Sequence, residues 1–471
     1  MNDELLVRGA ELGGSGPAVD VRVRDGVVVE VGRDLGAAAG GQVLDCGGGA
    51  LLPGLHDHHL HLLATAADAA SVRVGPPDVR DRAGFARALR DADRHLPPGQ
   101  WLRATGYHES VAGDLDHAAL DRIVPGRPVR VQDRSGARWT LNRAGIDAVG
   151  LDELALAEVE RDAADRPTGR VHRSDALLGS RLPAPAPPDL AALGARLAGR
   201  GVTGVTDTTP YRSMTDLAVI ADAVRTGALP QRVVVTGGPE LAGTEAPPGL
   251  QWGPVKLVID DADYPAIDDV IAGIETAHRH DRTVAIHCVT RAALALAVAA
   301  WAAARAVAGD RVEHGSVVPP DLSSALTELG LTVVTQPGFV AERGDDYLRE
   351  VDPDDLPHLY PCRSLLDAGI TVMGSTDAPY TSPDPWCAIA AAVARRTPSG
   401  AALGEAERLS PRRALELFSH DPLRPGRLRR VAVGQPADLC LLAAPLDVAL
   451  RTLPDVEVVA TICRGRVAWC S

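Results

Sequence analysis

The hydrophobic pattern changes character along the chain. Residues 2–49 read as short strands joined by tight turns: Val21 and Val23 alternate with polar neighbours, and Val27–Val31 follow Asp25-Gly26, a hairpin signal. Residues 424–471 have the same texture, with Val431–Val433, Leu439–Leu442 and Val458–Val467 separated by Gly434-Gln435-Pro436 and Arg464-Gly465. Two β-rich ends of similar size can pair into one small β-domain. From about residue 189 the pattern becomes an alternation. Helices are expected over Asp189–Arg200, Met214–Arg225, Tyr264–His278, Arg291–Val307, Pro320–Leu329, Ser364–Ala368 and Pro411–Phe418. Strands are expected over Val202–Thr206, Arg232–Val235, Val255–Ile259, Thr283–His287, Arg311–His314, Leu331–Thr335 and Thr371–Ser375.

With the Ala50–His61 strand in front, the series has eight strands, the number that closes a TIM barrel. An open doubly wound sheet is the alternative, but no Gly-rich phosphate fingerprint supports it. The expected architecture is an α/β chain: a (β/α)8 barrel over 51–423, and a small β-sandwich domain built from 1–50 and 424–471. Residues 68–185, rich in Asp, Arg and Pro, do not fit the alternation and read as an insertion after strand one. They lead into Leu182-Pro-Ala-Pro-Ala-Pro-Pro188, a stiff linker-like run.

Composition narrows the class. At 471 residues with 45% hydrophobic and 23% charged, the chain can bury a sizeable core. The formal net charge of −14 argues against nucleic acid or an anionic membrane as partner. No apolar run approaches the ~18–20 residues of a membrane helix, and Asn2, Asp3 and Glu4 do not resemble a secretory leader. The expected setting is cytoplasmic. The seven cysteines are scattered, without a CxxC, and suggest neither a disulfide framework nor a thiolate zinc site. Expected partners are a small-molecule substrate and, as an option for a large barrel, further copies of the chain in a homo-oligomer.

One imbalance carries chemical information: 47 of the 48 basic residues are Arg, and the single Lys is Lys256. A lone Lys in an Arg-rich chain is a candidate for a position that needs a primary amine, because Arg can neither lose its proton nor accept CO2. Lys256 lies inside the fourth barrel strand, where an unpaired ammonium is expensive to bury. Modified by CO2 it would be a carbamate, an anionic oxygen ligand able to bridge two cations.

Further candidates fall at strand ends. In His56-Asp57-His58-His59-Leu60-His61, residues 57, 59 and 61 share one face of a strand and 56 and 58 the other. Residues two apart lie about 6–7 Å apart, close enough for two imidazoles to converge on one ion, and spacing alone leaves 59/61 and 56/58 both open. His287, His314 and Asp377 each end or follow a later strand, on the face where TIM barrels place catalytic groups. Four imidazoles, a carbamate and a carboxylate would make a complete binuclear site. A Walker A loop and a G-x-S-x-G elbow are absent. Cys288 should face away from its neighbour His287 and serve packing.

These motifs, in this order, resemble those of the metal-dependent amidohydrolase superfamily. Pro53-Gly-Leu-His-Asp-His-His-Leu-His61 is similar to its first-strand motif. Gly253-Pro-Val-Lys256, Ala285-Ile-His-Cys288, Arg311-Val-Glu-His-Gly315 and Gly374-Ser-Thr-Asp-Ala-Pro379 are similar to its later ones, and Gly434-Gln-Pro-Ala-Asp-Leu439 to its C-terminal signature. The resemblance is to the amidohydrolase family 3 branch that contains N-substituted formamide deformylase, whose members also carry an insertion after strand one. It implies that His59 and His61 hold the more buried ion, carboxylated Lys256 bridges, His287 and His314 hold the second ion, and Asp377 binds metal and moves the proton. It also implies one or two divalent ions, zinc foremost, and hydrolysis of an amide-like, non-peptide C–N bond by a metal-activated hydroxide. Deamination and ester or lactone hydrolysis use the same core, and a catalytically silent barrel scaffold is the reading from another class. Members of the branch often carry Gly-His where this chain has Gly136-Ala137. Candidate substrate contacts are Glu342, Arg343 and Tyr347 after strand seven, and Tyr380 and Trp386 after strand eight; Arg343 would suit a substrate carboxylate.

Overall fold

The computed structural model describes residues 4–14, 16–154, 156–173, 175–182, 188–210 and 213–471. The chain divides into two compact units, one of Met1–Leu63 with Leu190–Ser471 and one of Ala64–Asp189. Most of the linker-like run before Pro188, residues 183–187, lies outside the described residues.

The first unit contains the expected barrel. Its strands are β1 (Leu55–Leu60), β2 (Val202–Asp207), β3 (Arg232–Gly237), β4 (Leu250–Val258), β5 (Val284–Cys288), β6 (Arg311–His314), β7 (Thr332–Thr335) and β8 (Val372–Gly374). Each pairs in parallel with the next. The ends are joined just beyond β8, where the Asp377 N–H donates to the His59 carbonyl at 2.8 Å and the His61 N–H to the Ala378 carbonyl at 2.9 Å. Strands covered on both faces are normally runs of Val, Ile and Leu. Here β1 and β6 are buried at every position yet read Leu-His-Asp-His-His-Leu and Arg-Val-Glu-His. Such side chains are not sealed from water without partners, so the anomaly itself marks a site.

Both chain ends build one β-domain in the same unit. Its path runs Arg466–Cys470, Val458–Cys463, Leu439–Leu442, Ala50–Pro53, Glu4–Leu12, Val19–Arg24, Val27–Gly32, with Gln42–Asp45 also beside Glu4–Leu12. Leu5, Val7, Val21 and Val23 from one end pack with Leu439, Leu441 and Ile462 from the other. The Asp25-Gly26 turn has positive φ at both residues, 49° and 76°, as a tight primed hairpin turn requires.

One expectation is corrected. The Ala50–His61 strand is two strands: Ala50–Pro53 belongs to the end domain and β1 to the barrel. The chain passes between them at Gly54, where a Cβ would collide with the Thr203 side chain. Two segments for which the pattern predicts no element, after strands seven and eight, carry helices, Gly338–Glu350 and Pro385–Ala394. Pro385–Ala394 is small and apolar on nearly every face, so it shows no amphipathic stripe.

The second unit, Ala64–Asp189, folds around a sheet of its own. A six-stranded sheet runs Val159–Arg161, Pro167–His172, Arg138–Leu141, Val129–Asp133, Leu102–Tyr107, Val72–Arg73. One apolar cluster gathers Phe85, Leu89, Tyr107 and Leu120, and another Trp139, Ile146, Leu151 and Val171. Gly169 has φ 91° and faces the Leu141 carbonyl too closely for any side chain, so Pro167-Thr168-Gly169 is architectural.

Candidate metal centre

Register brings the site together. Pairing sets Val258 beside His287, and His287 beside Glu313. In-register residues of parallel strands face the same way, and alternation carries that face to Lys256 and Arg311 two residues earlier. His314 would by alternation point outward. Its φ of 70° breaks the strand geometry and turns its ring back beside its neighbours, and Asp377 adopts a similar φ of 57°. Left-handed backbone at a non-glycine residue costs of order 1 kcal/mol and collects at functional sites.

The histidine rings form a chain: His61 to His59 with centroids 5.4 Å apart, His59 to His314 at 4.7 Å, and His314 to His287 at 4.4 Å. His59, His61 and Asp377 form the tightest group, with one ligand atom from each within 4.8 Å of the others. Asp377 Oδ1 lies 3.2 Å from His61 Nε2 and 3.5 Å from His59 Nε2, and its Oδ2 3.7 Å from His314 Nδ1. Oδ1 nevertheless has hydrogen-bond geometry to nothing among the described residues, and neither does the buried Lys256 Nζ.

The other ring nitrogens are held from behind. His61 Nδ1 lies 3.0 Å from Thr209 Oγ1, and His314 Nδ1 2.9 Å from Gln336 Oε1. His59 Nδ1 meets Glu313 Oε2 at 2.5 Å. Burial, reinforced by nearby Lys256 and His61, pushes His59 well below the usual histidine pKa, and burial does the same to His314. A neutral His59 that donates from Nδ1 carries a lone pair on Nε2. That lone pair faces the acceptor Asp377 Oδ1 with no proton between them, an arrangement that repels unless a cation sits there. Burial also lowers the Lys256 pKa, against the pull of Glu313, and so favours the neutral amine that can take up CO2. The group of His59, His61 and Asp377 therefore fits a divalent metal ion.

His56 and His58 lie elsewhere. Their rings pack on each other at 4.7 Å, and His56 Nε2 is 2.9 Å from Thr206 Oγ1. Cys288 is buried with its thiol pKa raised by burial, which suits packing. Of the candidate substrate contacts, Tyr380 stands edge-on to His61 with centroids 5.6 Å apart. Arg343 donates to the Tyr380 carbonyl at 2.8 Å and lies over Phe339. Tyr347 pairs its hydroxyl with that of Tyr360 at 3.2 Å, and Glu342 accepts from the Ser382 N–H. Trp386 does not join them: it is fully buried and its indole N–H donates to the Arg200 carbonyl. The sequence pattern points to none of Thr209, Gln336 or Glu313. For Glu313 a signal exists, since a charged residue inside a short barrel strand must be paired.

A family model described as the amidohydrolase family matches residues 42–468. The chain is 27% identical to N-substituted formamide deformylase of Arthrobacter pascens, over 94% of each chain. Its fold is similar to that of an uncharacterised metal-dependent hydrolase from Pyrococcus horikoshii OT3, with a TM-score of 0.76 and 19% identity, over 96% of this chain and 99% of that one. A second such hydrolase, from Pyrococcus furiosus, gives 0.71 and 21%, over 93% and 98%. With its barrel, its converging histidines and a family match across nearly its whole length, the chain belongs to the amidohydrolase family.

Proposed function

We propose that this amidohydrolase cleaves an amide-like, non-peptide C–N bond of a small molecule, with Asp377 as the proton-transfer residue. The observation that carries the reading is the convergence of His59 Nε2, His61 Nε2 and Asp377 Oδ1 on one point without a hydrogen bond among them. His59, His61, His287, His314, Asp377 and a carboxylated Lys256 would hold one or two divalent ions, zinc foremost. When bound, the ions supply Lewis acidity for the scissile carbonyl and make water a stronger acid.

The chain's own residues do the rest. Asp377, held by its backbone N–H on the His59 carbonyl, has a carboxylate oxygen available to take a proton from the attacking water. It returns that proton to the leaving nitrogen, so an amide and water give a carboxylic acid and an amine. Tyr380, edge-on to His61, is placed to stack on the substrate or to bond its polar atoms. Arg343 fixes Tyr380 through its carbonyl. N-substituted formamides are the first substrates to test, because the formamide deformylase relative matches across nearly the full length of both chains.

Release of amine from N-formyl, N-acyl and cyclic amides by the zinc-loaded protein tests the reading. Turnover of at least one class should fall about 10²–10⁴-fold in Asp377→Asn with zinc content retained. A loss smaller than tenfold would remove Asp377 from the proton-transfer role.

A further inference from the structure

Arg311 and Glu313 belong to a motif that the hydrolytic scheme leaves idle, yet they lie directly behind the site. Glu313 is fully buried, and each of its oxygens has one partner. Oε1 accepts from Arg311 Nε at 2.7 Å, and Oε2 meets His59 Nδ1 at 2.5 Å. An ionised carboxylate only accepts, so His59 must carry its proton on Nδ1. That choice leaves the lone pair on Nε2, the nitrogen that faces Asp377 and His61. Arg311, itself about 1% exposed, donates to Oε1 and so fixes the Glu313 carboxylate from the side away from His59. Glu313 and His314 can face the site together only because His314 leaves the strand geometry at φ 70°.

We infer that Glu313, held between Arg311 and His59, is a positioning residue that fixes the tautomer and ring orientation of His59 and so sets the affinity of the centre for metal. The inference rests on the reading of His59 as a ligand. Partners of this kind typically change metal affinity 10–100-fold.

The test is zinc affinity by competition with a chromogenic chelator, together with the visible spectrum of the cobalt-substituted protein. Glu313→Gln should bind zinc 10–100-fold more weakly than the parent chain. Its cobalt bands should shift, and Glu313→Asp should recover part of both. Equal affinity and an unchanged cobalt spectrum in a folded Glu313→Gln would overturn the inference while leaving the hydrolase reading intact. A parent chain that binds neither ion would overturn both. A measurement independent of any variant is the nitrogen-15 spectrum of the metal-free parent. There His59 should show a protonated Nδ1 and a bare Nε2, and the opposite tautomer would overturn the inference even if Glu313→Gln fails to fold.

Discussion

Lys256 is the residue at which composition and structure inform each other most closely. Its rarity singles it out in the sequence, and the structure buries it with an amine that bonds to nothing among the described residues. An unpaired buried ammonium costs several kcal/mol, which a carbamate bound to metal would remove. Lys256→Arg keeps a positive charge and cannot be carboxylated. It is therefore expected to lower zinc stoichiometry and abolish bicarbonate-dependent activation, both read by metal analysis and assay with and without bicarbonate. Full metal content in that variant would exclude the bridge. Tyr380 belongs to the same scale: Tyr380→Ala should raise KM more than it lowers kcat if the ring contacts substrate rather than ions. An unchanged KM would remove it from the substrate site.

At the scale of elements, the barrel was legible because strands buried on both faces leave apolar runs of fixed length separated by helices, as in Val284-Ala-Ile-His-Cys288. Polar residues at strand ends mark His287, His314 and Asp377 as candidates and the rarity of Lys marks Lys256, whereas the choice of His59 and His61 over His56 and His58 comes only from the family resemblance. Three kinds of information were not legible. The helix Pro385–Ala394 carries an alanine run in place of a clear apolar stripe, so period alone does not separate it from a loop. The second unit shows no βα repeat because its sheet is mixed, with parallel and antiparallel pairs side by side. The split of Ala50–His61 was also hidden, since one glycine within an apolar stretch looks like a pause and not a boundary. Gly54→Ala tests that boundary. The added methyl meets Thr203, and the expected cost is about 1–3 kcal/mol, read as a lower denaturant midpoint at unchanged slope. A midpoint within error of the parent would mean that the passage tolerates a side chain.

For the whole molecule, buried neutral histidines make stability depend on pH. His420, away from the candidate ligands, has its pKa pulled down to about 4, chiefly by burial and against the influence of Glu416. The unfolded chain binds this proton near pH 6.5, so between pH 6.5 and 4 it holds a proton that the folded chain refuses. Stability present above pH 6.5 is therefore lost as the pH falls toward 4, by up to about 3 kcal/mol from this residue. His420→Gln should flatten that part of the profile in urea melts run across the range, and an unchanged slope would show that His420 titrates normally in the folded state. Metal should add stability at neutral pH by mass action, because the unfolded chain cannot bring together groups as far apart in sequence as His59, His61 and Asp377. Among the described residues no helix is long and apolar enough to cross a membrane.

The most direct test of the account is metal content by plasma mass spectrometry, on protein prepared without chelators and supplied with zinc and bicarbonate. The account predicts about two tightly held divalent ions per chain, the number a carbamate-bridged hydrolytic centre takes. One ion would contradict the bridge at Lys256, and a chain that holds none would contradict the hydrolytic centre itself.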